Sequence, residues 1–404
     1  MKLPIYLDNS ATTPVDPRVL EVMLPYYTEK FGNAASRTHA FGWIGEEAVD
    51  HARERCARLI NASPTEIIFT SGSTESNNLA LKGVFEMFAS KGNHIITVVT
   101  EHKSVLDACK HLEKYGANIT YLQVDKKGRI DIKELENAIT DKTILVSIMY
   151  GNNEIGILQP VKEISEVARK HHVLFHTDAT QAAGKINIDV EADGIDLLSF
   201  SAHKIYGPKG VGALYVRRRN PRVRITAQID GGGHERGMRS GTLNVPGIAG
   251  FGMASEICAN EMLAEAAYQQ KMRDKLEKEL LKQEEVYVNG DTERRLPHIT
   301  NLSFKHVESE SLMIALSKNI AVASGSACTS ASLEPSYVLK ALGLSNELAY
   351  SSIRFSVGRF NTEEEVNYAI QYVTESVKKI RERSSLWETH KKDIIIREIE
   401  EVRK

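Results

Sequence analysis

The chain has 404 residues, with Lys+Arg 51 against Asp+Glu 53 and a formal net charge of −2, enough length for one large core and a smaller one. So balanced a charge gives the chain as a whole no pull toward nucleic acid or an anionic membrane, and neither is expected as a direct partner. Four scattered cysteines with no CxxC pair argue against a disulfide framework and a protein-only zinc site, and no apolar run is long enough to span a bilayer, so a reducing address is expected, the cytoplasm or a matrix-like space reached after removal of a presequence.

Ile5-Tyr6-Leu7 predicts a short strand leading into the polar loop Asn9-Ser10-Ala11-Thr12-Thr13-Pro14. Asp16-Pro17 then predicts an N-cap and first helical residue, and Phe31-Gly32-Asn33 the close of that helix. A second helix is expected over 46–60, where Ala48, Ala52 and Cys56 recur at helical spacing; Cys56 is a buried small residue on this reading, with no chemical role. From Ile67 onward, β-rich apolar runs at 67–69, 95–99, 120–122, 144–148, 173–175 and 197–200 are mostly separated by helical segments, and 211–216 adds a strand. This alternation predicts an α/β domain with a largely parallel sheet, whose ligands collect at the carboxyl ends of the strands.

The stretch 246–283 has a helical pattern too long for an average domain helix and is expected to link two domains. Beyond it, strands at 299–304 and 352–356, helices at 309–317 and 337–342, and a helix opened by the capping box Thr362-Glu363-Glu364-Glu365 predict a smaller α+β domain. The large domain is placed over 16–260 and the small one over 1–15 with 261–404, ending in a tail from about 384 that alternates charge with Ile and Trp and suits a partner-facing role.

Each strand of the first domain ends in a polar loop, and the chemistries of these loops complement one another. Ser71-Gly72-Ser73-Thr74-Glu75-Ser76 follows a strand and opens a helix, so it suits a phosphate cradle as well as an ordinary N-cap. Glu101-His102-Lys103 offers a ring for stacking or proton transfer, or a structural hydrogen bond; Asn152-Asn153-Glu154 offers amide donors, or a turn. Asp178, after the run 173–175, can pair with a protonated pyridine nitrogen or cap a helix. In Ser201-Ala202-His203-Lys204 the lysine can form a Schiff base with pyridoxal 5'-phosphate while the preceding polar residues hold its phosphate; a solvated surface lysine would look similar in isolation. In the second domain, Cys328 sits within Ala323-Ser324-Gly325-Ser326-Ala327-Cys328-Thr329-Ser330-Ala331-Ser332-Leu333-Glu334-Pro335-Ser336-Tyr337, a run of small polar residues suited to an exposed thiol.

Taken in order with Leu7 to Pro14, Phe69 to Ser76, Asn152 to Gly156, Asp178 to Gln181 and Arg236 to Thr242, these motifs resemble the cysteine desulfurases of the IscS/NifS type over nearly the whole chain. The resemblance implies a fold type I PLP-dependent transferase of the class V aminotransferase superfamily: a mainly parallel, seven-stranded-type sheet plus a smaller α+β domain, working as a homodimer. It implies that Lys204 carries the cofactor, Asp178 meets the pyridine nitrogen, Gln181 the ring oxygen and His102 the ring face, with His102 also shuttling protons. Ser73, Thr74, Ser201 and His203 would hold the phosphate, Thr242 would complete that site from the neighbouring subunit, and Asn153 and Arg354 would hold the substrate carboxylate.

The implied reaction converts L-cysteine to L-alanine, leaving a persulfide on Cys328. The implied acceptors are an iron-sulfur cluster scaffold protein, with which Cys328 would transiently share cluster metal, and sulfur-relay proteins for tRNA thiolation. Ala202, where glycine is common in the family, and Tyr150-Gly151 depart from the pattern without touching a group that has a role. A selenocysteine lyase, a class V transaminase and a catalytically silent binding subunit are the alternatives.

Overall fold

The computed structural model describes residues 1–324, 334–384 and 387–392. After β1 (Ile5–Tyr6), the large sheet is built from β2 (Ile67–Thr70), β3 (His94–Val98), β4 (Asn118–Leu122), β5 (Thr143–Ser147), β6 (Leu174–Asp178), β7 (Leu197–Ser201) and β8 (Gly212–Val216). The smaller part contributes β9 (Val286–Val288), β10 (Ile299–Phe304), β11 (Ile320–Ala321), β12 (Ala323–Ser324) and β13 (Ser352–Ser356).

The seven-stranded sheet has the order β2-β8-β7-β6-β5-β3-β4. The neighbours from β7 through β6, β5 and β3 to β4 are parallel, whereas β8 runs antiparallel to both β7 and β2. Strands such as β3, β5, β7 and β8 are buried along their whole length, which is why they read as continuous apolar runs. The edge strand β4 is mostly half-exposed and shows a weaker signal. Because β8 lies antiparallel between β7 and β2, those two strands point the same way, and the carboxyl ends of β2, β3, β5, β6 and β7 share one edge.

Two helices differ from expectation. Asp16 accepts from the Arg18 backbone N–H and Pro17 takes the first turn, but the helix stops at Met23 and restarts at Pro25, ending at Thr28. Proline has no N–H to continue the ladder, so the segment becomes two short pieces that end before Phe31. The helix expected over 46–60 runs instead over Ala40–Leu59, because His39 Nδ1 accepts from Gly42 N at 3.2 Å and caps it earlier. Cys56 within it is fully buried, and burial pushes its thiol up to about 12.

The helix Val245–Leu280 serves two cores. Its Ile248, Phe251 and Ile257 belong to the core beneath the large sheet, and its Met272, Leu276 and Leu280 to a second core that also contains Ile5, Leu7, Leu302 and Phe355. The antiparallel sheet β12-β13-β10-β9 supplies that second core, and β1 joins by pairing parallel with β11. Thr362 opens the helix Glu363–Glu382 with the expected capping box.

The helices Ala40–Leu59 and Val245–Leu280 meet at backbone distance, since a Cβ on Gly252 would stand 2.5 Å from the Ala52 Cα. Gly252→Ala is therefore expected to lower stability by roughly 1–3 kcal/mol through overpacking, against the gain of up to about 1 kcal/mol that alanine brings to an unstrained helix. A urea-denaturation midpoint at or above that of the parent would show that the contact has room.

Candidate active site

The first wall of the site comes from β2. After Thr70 the chain turns through Gly72, whose φ of +152° is open to glycine, into the helix Ser73–Met87. No side chain caps this helix, so its amino end presents free N–H groups and a positive dipole beside the Ser73 and Thr74 hydroxyls. A Cβ on Gly212 of β8 would meet the Gly72 Cα at 2.7 Å, so the cradle rests directly on the sheet. Glu75 is turned away from the cavity's centre: its carboxylate accepts from Ser71 N at 2.8 Å and pairs with Arg239 at 2.7 Å.

The second wall is the turn after β7. Ser201 ends the strand and Ala202–Lys204 forms one 3-10 turn. The amino-terminal loop clamps this turn: Thr13 N and Oγ1 both donate to the His203 carbonyl, at 2.9 and 3.0 Å, and Tyr206 N donates to Thr13 Oγ1 at 2.9 Å. Lys204 Nζ donates to the carbonyls of Ser10 and Ala11, the latter at 2.7 Å. Burial, with Lys204 and Lys209 adding repulsion, pushes His203 down to about 4, so it meets an anion as a neutral ring.

Asp178, ending β6, is held by three donors. Asn77 Nδ2 reaches one oxygen at 2.7 Å, Thr180 N reaches the other at 2.9 Å, and Thr180 Oγ1 also lies against that second oxygen. The same Asn77 amide reaches Ser104 Oγ at 2.8 Å, and Ser104 N donates to His102 Nδ1 at 3.1 Å. With Nδ1 accepting, the neutral imidazole carries its proton on Nε2. Burial holds His102 below its ordinary value; Asp178 acts the other way, and Lys204 adds to the lowering.

The remaining wall comes from the smaller part. Arg354 on β13 donates to the Asn153 carbonyl at 2.9 Å and pairs with Asp8 at 2.5 Å. Arg354 Nε, Asn153 Oδ1 and Ser10 Oγ are buried without a hydrogen-bond partner among the described residues, so the cavity wall retains unused polar capacity. Gln181 Nε2 donates to the Ser10 carbonyl at 2.9 Å.

Together these walls enclose a cavity of about 580 Å³ lined by Ser73, Thr74, His102, Asn153, Asp178, Gln181, Ser201, His203, Lys204 and Arg354. Two of the expected site residues are not among the described residues that line it. Thr242 is exposed and absent from the lining, and Cys328 lies outside the described residues. Asn77, Thr180, Ser104 and Asp8 are functional neighbours that sequence reasoning missed. Asn77 is one helical turn from Ser73 and Thr180 two residues from Asp178, but only the fold shows which carboxylate they serve.

An anion cradle at a helix amino end, a primary amine beside it, a buried carboxylate and an arginine toward the smaller part fit a phosphorylated pyridine aldehyde together with an amino-acid carboxylate. Fold and cavity define a fold type I α/β transferase. The chain belongs to the aminotransferase class-V family, whose model matches residues 5–368. It is 58% identical over 402 residues to a cysteine desulfurase IscS of Klebsiella pneumoniae subsp. pneumoniae, covering 99% of each chain. Among solved structures it is similar to a NifS-like protein with TM-score 0.86 and 40% identity, over 94% of this chain and 99% of that one. It is also similar to SspA in complex with cysteine, with TM-score 0.78 and 36% identity, over 89% and 100% of the two chains. The class V aminotransferases and cysteine desulfurases are PLP-dependent families.

Behind the cavity, Glu154 is fully buried and burial pushes it up to about 7 from 4.5, against the Ser336 hydroxyl, which donates to it at 2.5 Å. A carboxyl raised above its unfolded value stabilises the fold fully below pH 4.5, and the contribution is lost as pH rises through about 7. At about 1.4 kcal/mol per pH unit the loss approaches roughly 3 kcal/mol. Glu154→Gln, neutral throughout, should therefore gain stability relative to the parent between pH 5 and pH 8 in urea titrations. An unchanged difference between the two at both pH values would contradict the burial argument.

Proposed function

We propose that this protein is a PLP-dependent cysteine desulfurase that converts L-cysteine to L-alanine and keeps the sulfur as a persulfide on Cys328. The observation that carries the reading is the convergence, in one cavity, of the Ser73/Thr74 cradle, Lys204, Asp178 and Arg354. The resemblance to cysteine desulfurases over the full chain, and to a neighbour in complex with cysteine, supports the choice of substrate.

In this reading Ser73, Thr74, Ser201 and neutral His203 hold the cofactor phosphate, with Thr242 of the neighbouring subunit completing that site in a homodimer. Lys204 tethers the aldehyde carbon, Gln181 faces the ring oxygen, His102 covers the ring face and Asp178 faces the ring nitrogen. When bound, the cofactor supplies an electron sink for the pair left at the substrate Cα. Asn153 and Arg354 orient the substrate carboxylate, and Arg354 is itself held in aim by Asp8 and the Asn153 carbonyl.

The Lys204 amine removes the Cα proton. His102, neutral and protonated at Nε2, then holds or returns a proton at the substrate. The Cys328 thiolate attacks the substrate sulfur: an S–S bond forms, the C–S bond breaks, and the carbon fragment takes up protons to become alanine. Cysteine plus one protein thiol thus gives alanine plus one persulfide, with no external oxidant or reductant.

The persulfide is passed to an iron-sulfur cluster scaffold, with which Cys328 shares cluster metal transiently, and to sulfur-relay proteins for tRNA thiolation, in the cytoplasm. Among the described residues no helix is long and apolar enough to cross a membrane. The division into 16–260, and 1–15 with 261–404, supplies two bodies with the cavity between them.

Cys328→Ser incubated with L-cysteine and no keto acid should lose protein persulfide, read by intact-mass spectrometry, and lose alanine formation by at least a hundredfold. Persulfide retained on the protein would sink the assigned nucleophile, and alanine formed only with a keto acid would point to a transaminase. Arg354→Lys keeps the charge but loses the planar fork, so KM for cysteine should rise about tenfold, roughly 1.4 kcal/mol, with a smaller change in kcat. An unchanged KM would remove Arg354 from the carboxylate site.

A further inference from the structure

Far from Lys204 in sequence and outside its cavity, three residues from distant parts of the chain converge at the edge of the smaller sheet. Glu285 precedes β9, His306 follows β10, and Lys305 N donates to the Glu285 carbonyl at 3.0 Å, so the two positions are neighbours across one sheet end. His390 reaches them from the helical turns 387–392. Arg381 ties this corner together: its guanidinium donates to the carbonyls of Glu284, Glu285 and Lys305 and lies 4.5 Å from the centre of the Trp387 ring. One helical turn after Trp387, His390 faces the same corner, its ring 4.6 Å from that of His306.

The arrangement gathers three potential ligand atoms close to one another. His306 Nε2 and His390 Nε2 are buried and have no hydrogen-bond partner among the described residues. His390 Nε2 lies 3.9 Å from Glu285 Oε1, while Tyr287 and Lys305 occupy the other oxygen of Glu285, at 2.9 and 3.0 Å. One ligand atom from each of Glu285, His306 and His390 falls within 4.8 Å of the other two. Tetrahedral zinc with bonds of about 2.1 Å holds its ligand atoms roughly 3.4 Å apart, so side-chain shifts of about 1 Å would close the set.

The surroundings also suit a cation. His306 Nδ1 lies 3.4 Å from Glu347 Oε1, which favours the tautomer with its proton on Nδ1 and a lone pair on Nε2, the carboxylate–histidine relay common behind metal ligands. Glu284 Oε1, 3.9 Å from His390 Nε2, adds negative charge on the open side, where water would supply a fourth ligand.

We propose that Glu285, His306 and His390 form a divalent-cation site of the zinc or cobalt type that fastens the segment 387–392 to the edge of the smaller sheet. Coordination adds no redox step and leaves the reaction at Lys204 untouched.

Untagged holoenzyme carrying Cys328→Ser, to remove a competing thiol, and Trp43→Phe, to leave Trp387 as the sole tryptophan, should be titrated with Co2+. The expected result is one bound equivalent with visible ligand-field bands, quenching of the Trp387 emission over the same range, and displacement by Zn2+. His390→Gln and Glu285→Gln, each made separately and checked for native circular dichroism, should weaken both signals at least tenfold. Cobalt binding and quenching equal to those of the parent in both variants, or no bound equivalent in the parent, would overturn the site.

Discussion

The geometry of the cavity depends on a clamp of backbone and side-chain hydrogen bonds between the first thirteen residues and the lysine turn. Thr13 holds the His203 carbonyl and the Tyr206 N–H, while the Ser10 and Ala11 carbonyls receive the Lys204 amine. A few residues earlier the same strand buries Ile5 and Leu7 in the second core and lends Asp8 to Arg354. The amine and the arginine therefore hang from the two ends of one short segment. Neither core alone could fix the separation between them, because one belongs to the large sheet and the other to the small one.

The electrostatics follow from the same burial. A buried carboxyl group needs hydrogen-bond partners, and Asp178 has Asn77 and Thr180. Glu101 is fully buried, and burial, with Asp178 adding repulsion, pushes it well above the usual carboxylate range. Burial likewise lowers both His102 and His203. The site thus sets the acidic side chain of Asp178 against the basic side chains of Lys204 and Arg354, with the two imidazole rings held toward their neutral forms.

Much of this was legible in the sequence because buried parallel strands leave an unmistakable apolar run and each is followed by its polar loop. The strands β2 to β8 fall within about two residues of their expected limits, except that β6 continues three residues further to Asp178, and the loops after β2, β3, β5, β6 and β7 converge because those strands share a direction. What the sequence hid was of two kinds. Local exceptions, such as the His39 cap and the restart at Pro25, turn on one side chain or one missing N–H. Tertiary partnerships, such as Asn77 with Asp178 or Asp8 with Arg354, have no signature before folding, and neither does a histidine-glutamate cluster drawn from positions 285, 306 and 390. Cysteine spacing, which argued against a zinc site, cannot register ligands of that type.

The small sheet also bears on the proposed division of labour between Lys204 and a thiol distant from it in sequence. β12 and β13 are antiparallel with Ala323 opposite Arg354 and Ser324 opposite Ile353. The ladder that aims the arginine into the cavity therefore fixes where the chain leaves β12 toward Cys328. Cys328 is four positions beyond Ser324 in the sequence, a span of at most roughly 14 Å of extended chain. In the proposed reading, the anchor for the substrate carboxylate and the root of the segment leading to the sulfur acceptor are thus set by one pair of strands, so a shift in that register would displace both together. Binding of the substrate and delivery of its sulfur would then be coupled through the backbone.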